Sequence, residues 1–400
     1  MHVVILGSGH AGITSAITLR QNSEDIKITM ITEDHYPHYP RPSVYKIISG
    51  KKPEQILRYP QTWYDEKNIS LLLDSLVIHI DSANKELKTE NGKTIAYDKL
   101  LIATGSKPFI PPIPGIQDGP LYCLRNIEDA ISIRKRALDC PSGEATIFGG
   151  GLLSVELAKT LSDIGITSTI IDRSPYLLRK QLDREGGYFF NEVLRKTFKI
   201  NFLFNATCQN FKHDNENITI SINDTTGIWN HKCDFLLNAT GIQNDNELPQ
   251  KAGINIGKYA IVVNPFMQTN IPDIYAAGDA VDIGSFPGSK FGIIPTAIDQ
   301  AKIAAVNILG AKVPYTGTLP WTTLKVAGIN LTSLGDVSTG TGIHEECVLN
   351  DPEKGIYRKL FFKDNILQGA ILIGTKKNLH SLKTLAIHHA SLGEVKEKIL

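Results

Sequence analysis

The sequence predicts an α/β fold with two doubly wound units and a small C-terminal α+β domain. Three observations predict it. A strand, a glycine-rich turn and a helix open the chain, the same succession returns from Ala145, and short alternating segments replace it from Tyr315 onward. Such βαβ openings are typical of Rossmann-like dinucleotide-binding domains. We therefore expect two of these domains, the second inserted in the first. The expected boundaries are 1–112 and 239–314 for the first, 113–238 for the second and 315–400 for the C-terminal domain.

The composition disfavours several classes of partner. The 400 residues carry 42 Lys and Arg against 41 Asp and Glu, so the formal net charge is +1. A charge this close to zero does not favour a polyanion or a membrane surface as the main partner. No apolar run reaches the ~20 residues of a membrane span, and the chain starts with a strand rather than a basic leader. We expect neither nucleic acid nor a membrane as a partner.

The cysteines indicate a reducing compartment. The five are scattered, odd in number and form no C-x-x-C pair: Cys123, Cys140, Cys208, Cys233 and Cys347. This pattern argues against a disulfide framework or a zinc site and is typical of reduced thiols. We expect a cytoplasmic protein without a bound metal.

The opening stretch is the strongest motif of the chain. An apolar run over 2–6 has the length and β-branching of a buried strand and leads into Gly7-Ser8-Gly9-His10-Ala11-Gly12, a complete G-x-G-x-x-G. A helix pattern follows, then a second strand over 26–31 and Glu33, about 20 residues past the glycines. The spacing predicts a dinucleotide site in which Glu33 accepts a hydrogen bond from a ribose hydroxyl.

Each glycine of this turn has a separate expected role. Gly7 makes the tight turn, Gly9 lets the backbone approach a pyrophosphate, and Gly12 lets the helix pack on the strand. The helix N-terminus then offers free N–H groups and a positive dipole to the phosphates. The alternative is a βαβ unit whose glycines serve packing alone.

A stiff loop follows the second strand. Residues 35–46 hold three prolines and three tyrosines, which favours an extended conformation. Arg41 and Lys46 are either solvated surface cations or functional groups, with Arg41 toward the dinucleotide phosphates and Lys46 toward a redox ring.

Further on, 87–95 predicts a hairpin with Asn91-Gly92 at its tip, and a buried strand from Leu100 ends in the turn Ala103-Thr104-Gly105.

The second unit repeats this pattern. A strand over 145–148 leads to Gly149-Gly150-Gly151-Leu152-Leu153-Ser154, a helix runs through Leu161, and the next strand ends on Asp172. Ser154 takes the place of the third glycine and is small enough for close helix packing. The run 235–241 ends in Ala239-Thr240-Gly241, which repeats the earlier Ala-Thr-Gly turn. Two such units are typical of a protein that brings two dinucleotides face to face.

The first unit closes with the strand at 271–277 and Gly278-Asp279. The Asp279 carboxylate is placed to bind a polyol hydroxyl, to cap a helix N-terminus, or to do both. Pro295 and Thr296 then open a long helix with a stripe of small apolar residues, and its positive end could stabilise negative charge on a reduced ring.

The C-terminal region predicts short strands over 323–326, 330–334, 357–362 and 369–373, followed by helices over 379–389 and 393–400. His388 and His389 fall on the first of these helices. Adjacent helical residues point about 100° apart, so a solvated face is a better interpretation than a metal site.

Taken together, these motifs resemble the two-dinucleotide flavoprotein reductases, in the branch with NADH:rubredoxin reductase and the flavin portion of assimilatory nitrite reductases. The resemblance covers nearly the whole chain. It rests on GSGHAG, YPRPSVYK (39–46), the two Ala-Thr-Gly turns, GGGLLSVELA, LLRKQLDREGG (177–187), IYAAGDA and LKVAGINLTSLGD (324–336). It implies FAD in the first unit, a nicotinamide dinucleotide in the second, and hydride transfer to flavin N5.

The resemblance also implies site residues. Those expected to bind FAD are Gly7, Gly9, His10, Ala11, Gly12, Glu33, Arg41, Lys46, Ala103, Thr104, Gly105, Gly278, Asp279, Pro295 and Thr296. Those expected to bind NAD are Gly149, Gly151, Leu152, Leu153, Glu156, Asp172, Arg173, Thr240 and Gly241. Lys46 and Glu156 are the implied catalytic groups, as an ion pair beside N5. Asp172 should favour NADH over NADPH by repelling a 2′-phosphate, an effect that Arg173 would soften.

A missing residue type restricts the electron acceptor. Relatives of this superfamily carry cysteines near the flavin, whereas 33–64 contains none. Electrons should therefore leave the flavin directly, for a small one-electron carrier such as rubredoxin. A flavin-only NADH oxidase and a slow-turnover flavin-bearing regulatory or partner subunit are alternatives. The chain lacks the cysteine clusters of a siroheme or iron–sulfur module, so it is not a complete nitrite reductase. A homodimer is left open.

Overall fold

The computed structural model describes residues 1–140, 142–214, 218–284, 292–326, 328–337 and 345–399. The chain divides into two compact units. The first unit holds Met1–Ser43, Lys52–Lys107 and Ile242–Pro320, and the second holds Val44–Lys51, Pro108–Gly241 and Trp321–Leu400. Strands and helices are numbered in chain order below.

A parallel sheet forms the centre of the first unit, and every neighbouring pair in it is parallel. In spatial order its strands are β19 (Ile274–Ala276), β7 (Lys99–Ile102), β1 (His2–Leu6), β2 (Lys27–Ile31) and β3 (Ile69–Leu72). Strands β1, β2, β7 and β19 are buried along almost their whole length, as is typical of a parallel sheet that helices cover on both faces. The helices of this unit are α1 (His10–Asn22), α3 (Gln61–Glu66), α7 (Glu247–Lys251) and α8 (Ile294–Ile308).

The second unit has a parallel sheet with the same arrangement. Its spatial order is β12 (Ile200–Leu203), β11 (Thr167–Ile171), β10 (Glu144–Phe148), β16 (Phe235–Asn238) and β9 (Leu121–Cys123). Its helices are α2 (Tyr45–Ile48), α4 (Ile127–Leu138), α5 (Leu152–Asp163) and α6 (Arg184–Thr197). In each sheet the strand before the glycine-rich turn, β1 or β10, lies between two strands that follow it in the chain, so each sheet has a switch point where doubly wound folds bind ligands.

Antiparallel sheets complete both units. The first unit has β4 (Val77–Asp81), β5 (Glu86–Thr89) and β6 (Thr94–Ala96), and the second has β13 (Thr207–His213), β14 (Ile218–Asp224) and β15 (Gly227–Cys233). The C-terminal sheet has the order β21 (Trp321–Val326), β22 (Ile329–Gly335), β25 (Ile366–Ile373), β24 (Ile356–Lys363) and β23 (Glu345–Asp351), with helices α9 (Leu379–Ile387) and α10 (Leu392–Ile399). The remaining short strands are β8 (Lys107–Pro108), β17 (Ile242–Gln243), β18 (Ile261–Val262) and β20 (Val281–Asp282).

The predicted α/β fold class is confirmed, and several local expectations are corrected. The hairpin at 87–95 is present as β5 and β6, with Gly92 at φ +80°. The loop predicted as extended over 35–46 turns helical from Arg41, because a 3-10 turn and then α2 begin there. The strands β13–β15 and β23 were not expected.

The end of the chain also differs from the prediction. Helix α9 ends at Ile387, so His388 caps it and His389 follows in a left-handed conformation with φ +52°. Both histidines therefore lie after the helix rather than on it, and both are exposed, as expected. Leu400, the predicted last helical residue, lies outside the described residues. No helix in the described part of the chain is long and apolar enough to cross a membrane.

Candidate dinucleotide-binding sites

Two of the three glycines in the first turn are required by the protein's own packing. Gly7 has φ +102°, and a Cβ atom built on it would lie 2.3 Å from the carbonyl oxygen of Ala103. A Cβ atom on Gly12 would lie 2.0 Å from the carbonyl oxygen of Gly7. Both distances are far inside van der Waals contact, so β7 and helix α1 can approach β1 only because these residues lack a side chain.

The middle glycine is different. A Cβ atom built on Gly9 would meet nothing within 4 Å. Gly9 has φ −68° and ψ −173°, a conformation that any residue adopts, and it caps α1 without a side-chain hydrogen bond. Neither packing nor conformation requires a glycine there. The open space in front of the α1 N-terminus fits the group that the motif predicts, a pyrophosphate approaching the backbone closely.

The second turn repeats this division. A Cβ atom on Gly149 would lie 2.5 Å from the carbonyl oxygen of Ala239, whereas one on Gly151 would meet nothing within 4 Å. Gly151 also has an unstrained backbone, with φ −86° and ψ −175°. Ser154 occupies the third position and is fully buried. Its Oγ has no hydrogen-bond partner among the residues that the structure describes.

The rest of the first candidate site comes from the neighbouring strands. The turn Ala103-Thr104-Gly105 follows β7, and Gly105 has φ +74°. Gly278 follows β19 with φ +80°, and its N–H donates to Oε1 of Gln300, 2.9 Å away. Because the strands are parallel, these turns meet the glycine-rich turn at one edge of the sheet. Gln300, buried on α8, was missed because nothing in the local sequence marks its partner.

Asp279 lies in the 3-10 turn after Gly278, and its Oδ2 accepts a hydrogen bond from Ser106 Oγ at 3.3 Å. Ala277 is the N-cap residue of this 3-10 turn and Ile293 is that of α8, so Asp279 stands at neither N-cap position. Pro295 and Thr296 occupy the first turn of α8, as expected.

Arg41 is not a solvated cation. Its guanidinium forms an ion pair with Asp34, whose side chain is 6% exposed, and its Cζ lies 4.7 Å from the centroid of the Tyr39 ring. Sequence reasoning missed Asp34 because the pairing depends on the fold of the intervening loop. His10 and Ala11 begin α1, and Glu33 follows β2 with an exposed side chain.

Asp172 follows β11 at the edge of the second glycine-rich turn. Its carboxylate accepts hydrogen bonds from the N–H groups of Gly150 and Ser174. The Asp172 carboxylate therefore helps to fix the conformation of the glycine-rich turn, and it also lies at the position where the sequence predicts a contact with a ribose. Arg173 beside it is exposed, Leu152 and Leu153 begin α5, and Thr240 and Gly241 follow β16.

Lys46 on α2 and Glu156 on α5 belong to helices that pack against each other. Burial raises the pKa of Glu156 to about 7, and Lys46 opposes this by lowering it. The two charges therefore attract each other. Among the residues that the structure describes, however, no ion pair directly joins the two side chains. A carboxyl group that titrates near neutral pH can hold or release a proton under physiological conditions.

The five cysteines are free thiols, none of them in the segment 33–64. Burial raises the pKa of Cys123, Cys140, Cys208 and Cys233, so these thiols are poor nucleophiles at neutral pH. Within the described ranges, no group of three or more metal-ligating side chains is placed to hold a metal ion.

Comparison with known proteins agrees with this geometry. The profile of the pyridine nucleotide-disulphide oxidoreductases matches residues 1–302, and that of the rubredoxin NAD+ reductase C-terminal domain matches residues 320–398. The chain is 32% identical to an NADH-rubredoxin oxidoreductase of Clostridium acetobutylicum over 93% of its own length and 90% of the relative's. The crystal structure of an NADH:rubredoxin oxidoreductase from Clostridium acetobutylicum superimposes with a TM-score of 0.78 at 28% identity, covering 100% of this chain and 99% of that one.

Two further relatives widen the range of functions. A nitrite reductase [NAD(P)H] of Bacillus subtilis is 30% identical over 98% of this chain, which spans only 48% of that protein. An NADH oxidase of Methanocaldococcus jannaschii is 30% identical over 84% of this chain and 76% of its own length.

Two glycine-rich turns of this geometry, each at the N-terminus of a helix, are typical of proteins that bind dinucleotides. The chain belongs to the pyridine nucleotide-disulphide oxidoreductase family and carries the C-terminal domain of rubredoxin reductases. This family consists of FAD- and NAD(P)H-dependent oxidoreductases.

Proposed function

We propose that the protein passes electrons from NADH through FAD to a small electron-carrier protein such as rubredoxin. FAD, when bound, would accept a hydride from the nicotinamide and release electrons singly to the carrier. The observation that carries the proposal is the open space at Gly9 and Gly151, each in front of a helix N-terminus and each flanked by a glycine that packing requires.

The residues proposed for each site are those expected from the sequence. The turns at Gly7–Gly12, Ala103–Gly105 and Gly278–Asp279 would hold FAD, with Glu33 on its ribose and the N-terminus of α8 toward its ring. The turn at Gly149–Ser154 and the turn after β16 would hold NADH. The Asp172 carboxylate supports a preference for NADH, since it would repel a 2′-phosphate.

Lys46 and Glu156 are the proposed catalytic pair. Their Coulomb attraction supports the pairing. When ionised, Glu156 would hold Lys46 in place by its charge. Because burial raises the pKa of Glu156 to about 7, the same carboxyl group could instead carry a proton near neutral pH. An ammonium group beside the redox ring favours its electron-rich state.

Alanine substitution of Gly9 and of Gly151 tests whether the first turn binds FAD and the second binds NADH. Gly9→Ala and Gly151→Ala should leave the melting temperature of the FAD-free protein unchanged, because both backbones suit alanine and nothing crowds the added methyl group. Gly9→Ala should weaken FAD binding. Gly151→Ala should bind FAD normally but be reduced slowly by NADH.

Gly12→Ala is the matched control, because its methyl group would collide with the carbonyl oxygen of Gly7 and lower the melting temperature itself. Normal FAD binding by Gly9→Ala, or normal NADH reduction of Gly151→Ala, would refute the assignment of the corresponding turn.

A second candidate function is reduction of oxygen without a carrier, which the similarity to an NADH oxidase favours. The two candidates differ in one measurable respect. A carrier reductase should reduce rubredoxin much faster than it consumes oxygen, and an oxidase should do the reverse.

A further inference from the structure

The glycine-rich turn of the first unit is anchored by a histidine outside the motif. Nδ1 of His38 lies 2.7 Å from the carbonyl oxygen of Ser8, the residue between Gly7 and Gly9. A carbonyl oxygen can only accept a hydrogen bond, so Nδ1 carries the proton and donates it. His38 therefore holds the Ser8 carbonyl from the interior side, since only 3% of this histidine is exposed.

This contact sets the direction of the next N–H group. The carbonyl of Ser8 and the N–H of Gly9 belong to one planar trans peptide, in which the two groups point in opposite directions. A carbonyl held toward the buried His38 turns the Gly9 N–H away from it. This orientation leaves that N–H facing away from the interior, available to an anion in front of α1.

His38 is itself held rigidly. Its backbone N–H donates to the hydroxyl oxygen of Tyr64 at 3.2 Å, its ring stacks on Tyr59 with centroids 5.8 Å apart, and it meets the His10 ring edge-on at 5.2 Å. Burial lowers the pKa of His38 to about 4. The imidazole is therefore neutral at physiological pH and serves as a fixed donor.

The second unit makes the same contact with a different donor. The carbonyl of Gly150, which lies between Gly149 and Gly151, accepts a hydrogen bond from the backbone N–H of Leu178 at 2.7 Å. Leu178 is 1% exposed and has φ +58°, a left-handed conformation that leucine rarely adopts. Two chemically different donors, a side chain and a strained backbone amide, thus fix the equivalent carbonyl in the two turns.

We propose that His38 is a positioning residue for the FAD pyrophosphate, acting through the Ser8–Gly9 peptide and not by touching the ligand. This proposal rests on the proposed function, in which the first turn binds FAD. It assigns to His38 a role in the affinity for the diphosphate portion of the cofactor, whatever group is attached to it.

The test measures the dissociation constants of FAD and of ADP for the FAD-free protein and its variants. ADP contains the pyrophosphate but not the flavin ring. His38→Ala should weaken both ligands by about tenfold, the loss expected for one hydrogen bond that orients the site. His38→Asn should recover much of this affinity, because its amide can donate to the same carbonyl.

His35→Ala is the matched control. His35 lies in the same loop, but its side chain is exposed and contacts Asp74 at 3.1 Å. Its replacement should leave both dissociation constants unchanged. The melting temperature of each FAD-free variant is measured alongside, and His38→Gln supplies a second donor-bearing variant if His38→Ala does not fold.

The outcomes separate this proposal from the proposed function. If the wild type binds no FAD, the proposed function is wrong. If the wild type binds FAD and His38→Ala binds FAD and ADP equally well, the positioning role alone is wrong. If every His38 variant, with or without a hydrogen-bond donor, loses both affinity and melting temperature to the same extent as His38→Ala, the role of His38 is merely structural and the proposal is overturned.

Discussion

At the scale of single residues, Glu156 makes the stability of the protein depend on pH. Burial raises its pKa from 4.5 to about 7, so the folded protein holds a proton that the unfolded chain releases between these values. Stability must then fall as pH rises from 4.5 to 7, because the unfolded state binds fewer protons over that range.

Glu156→Gln should remove this loss. We expect the melting temperatures of the FAD-free wild type and variant to be similar below pH 4.5 and the variant to be the more stable above pH 7. Glu128→Gln, which replaces an exposed carboxylate in the first turn of α4, is the control and should show no such difference. A wild type that gains stability relative to Glu156→Gln as pH rises would contradict the raised pKa.

Ser154 and Ser15 lie in similar surroundings but differ in their hydrogen bonding. Both are fully buried on a helix behind a glycine-rich turn, but Ser15 Oγ donates to the carbonyl of Ala301 at 3.1 Å and Ser154 Oγ has no partner in the described part of the chain. Ser15→Ala should lower the free energy of unfolding by about 1 kcal/mol, whereas Ser154→Ala should leave it unchanged or raise it. Urea unfolding of the two variants measures this, and equal destabilisation would show that Ser154 has a partner.

At the scale of secondary structure, the C-terminal sheet is tied to helix α6 by a buried ion pair. Nζ of Lys359 on β24 lies 2.8 Å from Oδ2 of Asp183, and the two side chains are 6% and 2% exposed. Asp183 also caps α6 through the N–H of Gly186 and accepts a hydrogen bond from the hydroxyl of Tyr357. The Asp183 carboxylate thus caps the N-terminus of α6 and also binds two side chains of strand β24.

Lys359→Met should lower the stability of the second unit by about 3–5 kcal/mol, because it leaves the Asp183 carboxylate buried without its counter-charge. Lys354→Met breaks an exposed pair with Asp351 and should cost less than about 1 kcal/mol. Adding Asp183→Asn to Lys359→Met should recover part of the loss, since the remaining amide is neutral. Thermal unfolding of the three variants tests this, and a Lys359→Met protein as stable as Lys354→Met would contradict it.

The two glycine-rich turns, with the strand before and the helix after each, were predictable because each depends on residues close in sequence. Strand β1, the three glycines after it and helix α1 occupy one continuous stretch, and their pattern of apolar and small residues reports the fold directly. Asp34, Gln300 and His38 were not predictable, because each acts on a group that only the folded chain brings near. Strand β14 could have been predicted, because Ile218, Ile220 and Ile222 alternate with polar residues along it. Strand β13 has a weaker pattern, because its pairing shifts register between Cys208 and Asn210.

At the scale of the whole molecule, the proposed function has electrons enter from NADH and leave to a one-electron carrier without a thiol relay. The raised pKa values of four cysteines and the absence of cysteine from 33–64 agree with this route. Alkylation of accessible thiols under native conditions should therefore leave carrier reduction unchanged. A large loss of activity that bound FAD does not prevent would indicate a catalytic thiol.

The most direct measurement is anaerobic stopped-flow absorbance of the FAD-loaded protein, mixed first with NADH and then with oxidised rubredoxin. We predict that NADH bleaches the visible flavin band faster than NADPH does. Rubredoxin should then restore the band rapidly while becoming reduced, two molecules for each flavin. A flavin that NADH does not bleach, or one that stays bleached with rubredoxin and recovers only when oxygen is admitted, would contradict the account.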